Sequence, residues 1–112
     1  MSPPDTRQLN KDARLFAALG DATRLSLLLQ LGEGELCSIT QLARGHSQTR
    51  QAVRKHLQIL EQAQLVRGVK RGRENLFRLE PQALNQAAQK LAAIAEQWDQ
   101  ALLRLKDFVE RP

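Results

Sequence analysis

Ser38-Ile39-Thr40-Gln41-Leu42-Ala43-Arg44-Gly45-His46-Ser47-Gln48-Thr49-Arg50-Gln51-Ala52-Val53-Arg54-Lys55-His56-Leu57-Gln58-Ile59-Leu60-Glu61-Gln62 is the stretch on which the fold turns. Ser38, with Gln41 three positions later, has the form of a capping box, in which each side chain accepts the other's backbone N–H. It opens a short helix to about Arg44. Gly45-His46-Ser47-Gln48 reads as a turn. Thr49 is a second N-cap, for a helix over about 50–62 whose Val53, Leu57 and Leu60 recur at helical spacing. Two short helices joined by a tight turn form a helix-turn-helix unit.

Upstream, residues 1–7 are polar, carry two prolines and are expected to be disordered. A helix is expected from about Gln8 to Leu19, with Leu9, Ala13 and Phe16 on its apolar side, stopped by Gly20. Asp21 then caps a helix to about Leu31, with Leu25, Leu28 and Leu29 as its stripe, ended by Gly32 and Gly34. Downstream, the segment over about 65–79 reads as two short strands around the glycine-bearing turn Arg71-Gly72-Arg73-Glu74. Pro81 suits a first helical position and opens a last helix to about Val109. Leu84, Ala87, Leu91, Ile94, Trp98, Leu102, Leu105 and Val109 follow one another at steps of three and four, a near-heptad seam. Residues 8–110 are therefore expected to form a single domain, mainly α with a small β-hairpin, in the order α-α-α-α-β-β-α. That order is a winged helix-turn-helix with a long C-terminal dimerisation helix.

Composition agrees with this class. The 112 residues include 20 Leu and 14 Ala but only seven Val plus Ile and no Tyr, a balance that favours helix over strand. One cysteine, Cys37, excludes an internal disulfide framework. No apolar run approaches a membrane span, and the Met1-Ser2-Pro3-Pro4-Asp5 start lacks the form of a secretory signal, so a cytoplasmic protein is expected.

The formal net charge is +5, and its location is more informative than its size. Between Arg44 and Arg78 lie nine basic residues and two acidic ones, a local +7; the rest of the chain holds eight basic and ten acidic groups, or −2. A concentrated basic footprint suits a polyanion, with nucleic acid the first candidate.

Several motifs now carry a family likeness. Gly20-Asp21-Ala22-Thr23-Arg24-Leu25, the run from Thr49 to Glu61, Leu65-Val66 and Gly72-Arg73-Glu74 resemble the ArsR family of bacterial transcriptional repressors, in continuous register over about residues 13–79. Gln97-Trp98-Asp99, Leu102, Arg104-Leu105-Lys106 and Val109-Glu110 are similar to a subgroup that lacks metal sites. The family usually has a small hydroxyl residue where Arg54 stands, so the resemblance does not transfer an operator sequence.

The recognition helix can be read without the family. With Val53, Leu57 and Leu60 inward, Gln51, Lys55 and Gln58 face the opposite side, flanked by Arg50 and Arg54. Arg and Lys donate to guanine O6 and N7, and Gln pairs with adenine. Thr49 leaves the helix N-terminus open to a phosphate. Lys70, Arg71 and Arg73 in the wing suit phosphate or minor-groove contacts, which add affinity more than base discrimination. His56 flanks the buried stripe and is expected to be a packing residue. The resemblance implies dimerisation through the first and last helices, which points to Leu9, Phe16, Leu91, Ile94, Trp98, Leu102 and Leu105; the seam supports this independently. A two-fold dimer sets two recognition helices about 34 Å apart, facing an inverted repeat.

Effector chemistry is largely absent from the sequence. Metal-sensing members of the family are implied to use paired cysteines near the third helix or His and carboxylate clusters on the last. Cys37 has no second cysteine and the final helix has no histidine, so neither metal nor cofactor is expected. No nucleophile, base and orienter set or phosphate-cradling glycine loop points to an enzyme. The expectation is a homodimeric repressor binding an inverted-repeat operator near its own promoter, with an unknown effector. A winged-helix protein-interaction module and a non-specific architectural DNA binder are the alternatives.

Overall fold

A computed structural model describes residues 5–111 as α1 (Thr6–Leu19), α2 (Ala22–Leu31), β1 (Cys37–Ser38), α3 (Ile39–Arg44), α4 (Arg50–Gln62), β2 (Val66–Arg71), β3 (Glu74–Leu79) and α5 (Pro81–Glu110). The expected caps are present. The Asp21 carboxylate accepts the Arg24 N–H at 3.0 Å, the Ser38–Gln41 capping box is reciprocal, and Thr49 Oγ1 accepts the Ala52 N–H at 3.1 Å. Pro81 occupies the start of α5.

Four expectations are corrected. Helix α1 begins at Thr6, because Asp5 caps it by accepting the Arg7 N–H at 3.0 Å, so Thr6 and Arg7 are helical where disorder was expected; residues 1–4 lie outside the described range. Its buried side chains are Leu15 and Ala18, with Phe16 packed partly against the core and Leu9 exposed. In α2 the buried residues are Leu27, Leu28 and Leu31, whereas Leu25 and Leu29 face outward. A helix with leucine at 25, 27, 28, 29 and 31 carries little phase information of its own, and packing against α4 and β3 decides the rotation. The wing is also more than a hairpin. Two residues, Cys37 and Ser38, pair antiparallel with Phe77 and Leu76, so β3 is the central strand of a sheet ordered β1-β3-β2.

The core lies under the helix-turn-helix. Leu27, Leu31, Leu42, Val53, Leu57, Leu60 and Leu65 have no solvent exposure, and Ala83 and Ala87 bring the first turns of α5 against them. The remainder of α5 stands clear: from Leu91 to Arg111 every residue except Ala101 is exposed. The radius of gyration is 18.9 Å, against about 13 Å for a compact domain of this size.

Between α4 and β2 the chain turns sharply. Leu65 N–H donates to Leu60 O and Gln64 N–H to Glu61 O, both at 2.9 Å, which is a Schellman motif. Its left-handed position is held by Gln64, with φ 61°, where glycine would relieve the Cβ strain. Gln64→Gly is expected to stabilise the fold by about 1 kcal/mol. Urea denaturation measures this, and an unchanged or lower midpoint would contradict it.

Candidate nucleic-acid interface

Each side chain expected on the reading face of α4 is exposed: Arg50, Gln51, Arg54, Lys55 and Gln58, with Thr49 at the cap. The cause is the opposite stripe, since zero exposure of Val53, Leu57 and Leu60 fixes the helix's rotation. The turn before α4 is tied down as well. Gln48 Nε2 donates to Thr23 Oγ1 at 2.8 Å, and His46 Nε2 lies 3.1 Å from Gln30 Oε1, joining the turn to α2 at two points.

The wing supplies the second half. Its tip is the two-residue loop Gly72-Arg73, between the paired residues Arg71 and Glu74. Gly72 alone of the two has a positive φ, 62°, the pattern of a type II′ hairpin turn. Lys70, Arg71 and Arg73 are all exposed. Arg50 and Arg54 from α4, Arg44 from α3 and Arg73 from the wing line a single concave space of about 560 Å³. A second hollow, of about 360 Å³, lies between Arg54, Gln58 and Lys70. Gln51, Lys55 and Arg71 line neither, although all three are exposed. Arg44 and Asn75 were not singled out from sequence as members of this surface; Arg44's place in the basic run was the available signal.

Among the described residues, no carboxylate forms an ion pair with Arg44, Arg50, Arg54, Lys55, Lys70, Arg71 or Arg73. Seven exposed cations against Glu61 and Glu74, the two carboxylates that line the same hollows, leave a net positive field suited to a phosphate backbone.

His56 packs at the flank of α4, as expected, and has a partner. Arg24 lies with its guanidinium 3.2 Å from His56 Nδ1 while donating to Ala18 O at 2.8 Å and Ala17 O at 3.3 Å. A guanidinium only donates, so Nδ1 accepts and the ring proton sits on Nε2. One arginine thus joins the last turn of α1 to the middle of α4. Asp21 lies 3.9 Å from the same imidazole nitrogen. The Arg24 backbone N–H bonded to Asp21 is the main cause holding its carboxyl below the ordinary range.

Six of the seven expected dimer residues are exposed. Leu91, Ile94, Trp98, Leu102 and Leu105 on α5 are between 54% and 68% exposed, and Leu9 on α1 is 49% exposed. Phe16 differs, being half-buried against the domain's own core. Helices α1 and α5 touch, and Lys90 Nζ meets Asp12 Oδ2 at 3.5 Å across them.

Known proteins share this arrangement. A family model described as a helix-turn-helix domain matches residues 19–69. The structure of an ArsR-like transcriptional regulator from Rhodococcus sp. RHA1 superposes with a TM-score of 0.82 at 36% identity, over 96% of this chain and all of that one. The chain belongs to the ArsR family of transcriptional regulators. The uncharacterized HTH-type transcriptional regulator YuzN of Bacillus subtilis (strain 168) is 40% identical over 80 residues, 64% of this chain and 86% of its own length. The HTH-type transcriptional repressor SmtB of Mycobacterium tuberculosis (strain ATCC 25618 / H37Rv) is 35% identical over 78 residues. That match spans 70% of this chain but 57% of SmtB.

The ArsR family is a class of DNA-binding transcriptional regulators. Among the described residues no helix is long and apolar enough to cross a membrane, and no three His, Cys, Asp or Glu side chains gather as metal ligands. Cys37 sits half-buried on β1, and burial, followed by the charges of Glu35 and Glu33, raises its thiol pKa. A raised pKa lowers the thiolate fraction near neutrality, and the thiolate is the reactive form. Iodoacetamide at neutral pH is therefore expected to label Cys37 several-fold faster in urea than in the native protein; equal rates would contradict this.

Proposed function

We propose that this ArsR-family regulator is a homodimeric repressor that binds an inverted-repeat operator near its own promoter. The observation that carries the reading is the unpaired basic face shared by α4 and the wing. In this reading Gln51, Lys55 and Gln58 face base edges while Arg50 and Arg54 serve bases or flanking phosphates. Thr49 and the N-terminus of α4 meet a phosphate, and Lys70, Arg71 and Arg73 hold the backbone or the adjacent minor groove.

Dimerisation rests on the exposed α5 seam with Leu9. Five large apolar side chains exposed along one α5 seam, from Leu91 to Leu105, with Leu9 exposed on α1, are more than a lone small domain ordinarily leaves in water. A second copy buries them and relates the two reading heads by a two-fold axis. A DNA-binding role also places the protein in the cytoplasm.

Labelled promoter DNA competed with random duplex at physiological salt tests the central point. Specific binding predicts that random duplex competes far more weakly; equal competition would favour an architectural binder, and no binding a protein-interaction module. Sedimentation at micromolar concentration is expected to show a dimer, and a monomer would contradict the seam assignment. Arg71→Ala should weaken all sequences alike and reduce the salt slope by about one unit. Gln51→Ala should instead change base preference at one position in each half-site; unchanged preference would exclude it from the groove.

A further inference from the structure

Glu61 is one of two acidic residues in the basic segment, and it has a specific partner. From the last turn of α4, its Oε2 accepts the backbone N–H of Gly68 in β2 at 2.9 Å. Among the described residues this is the one side-chain hydrogen bond between the recognition helix and the wing. The sheet order makes β2 an edge strand. Glu80 N–H donates to Leu65 O at 2.9 Å, so the alternation of an antiparallel ladder makes Gly68, opposite Phe77, a position whose N–H points out of the sheet. The Glu61 carboxylate occupies that outward donor.

Glycine is required for the fit. A Cβ built on Gly68 would stand 2.9 Å from Glu61 Oε2. The far end of a glutamate side chain gives way readily, so a methyl group there would displace the carboxylate without breaking the fold.

We propose that Glu61 is a positioning residue for DNA binding, tying the wing to α4 at the separation that lets Arg54, Gln58 and Lys70 engage one duplex. The proposal rests on the regulator reading above. Electrostatics makes it discriminating: a carboxylate on a polyanion-binding surface weakens binding through charge alone. If charge were its only effect, every neutral replacement would strengthen binding. As a tie, it can be replaced by glutamine, which keeps an acceptor oxygen, and not by alanine.

The test is equilibrium binding to a duplex of the gene's own promoter over a range of salt, with each variant first shown to melt cooperatively. In wild type, Arg71→Ala is expected to lower the salt slope by about one unit. With Glu61→Ala already present, the same change should remove much less, because the wing no longer sits against the duplex. Glu61→Gln should retain the full Arg71 effect and bind at least as tightly as wild type. Gly68→Ala should likewise shrink the Arg71 effect, and the double variant, which lacks the displaced carboxylate, should bind no more weakly than Gly68→Ala alone. A full Arg71 effect in Glu61→Ala, or additive losses in the double variant, would overturn the positioning role alone. Wild-type protein that bound no duplex would overturn the regulator reading and this role together.

Discussion

The burial of one stripe on α4 governs the rest of the surface. Val53, Leu57 and Leu60 are wholly excluded from solvent, against Leu27, Leu31 and Leu42 of the preceding helices. Rotating α4 by even one residue position would turn one of these side chains to water, at about 1.5–3 kcal/mol for a fully buried aliphatic group. The same rotation would turn an arginine or glutamine inward, where an unpaired polar group is costly. The exposed set Arg50, Gln51, Arg54, Lys55 and Gln58 is thus the geometric complement of the apolar stripe. Recognition chemistry and core packing are two faces of one constraint.

A second division runs between the ends of the chain. The segment carrying +7 is tied into the domain: capped at Thr49, bonded to α2 through Gln48 and His46, and joined to α1 through Arg24 at His56. The segment that ends in α5 carries the opposite charge balance and keeps its apolar seam outside the domain core. A helix of 30 residues extends about 45 Å. Only its first turns are needed to close the core through Ala83 and Ala87, which leaves the rest for another surface.

Much of this was legible in the sequence because it depends on local signals. Asp21, Ser38, Thr49 and Pro81 mark helix starts by side-chain chemistry that acts within three residues, and the helix expected over about 50–62 is α4, Arg50–Gln62. The face of α4 was readable because its apolar and polar residues alternate with a clear period. The leucine-rich α2 lacks that contrast, so its inward face depended on α4 and β3. Strand β1 is two residues long and exists only through its pairing with β3, a contact no local pattern announces. Gln64 at a left-handed position, the Glu61–Gly68 bond and the convergence of Arg44 with Arg73 are likewise tertiary facts.

Phosphate ethylation interference on the promoter duplex bears most directly on the account, because it reads reading-head geometry and symmetry together. Two clusters of sensitive phosphates are expected, related by a dyad and centred about one helical turn apart, near 34 Å. Each cluster should include phosphates beside a half-site's major groove and others at the neighbouring minor groove, where the wing lies. A single asymmetric cluster, or uniform weak sensitivity along the duplex, would contradict a two-fold dimer reading an inverted repeat.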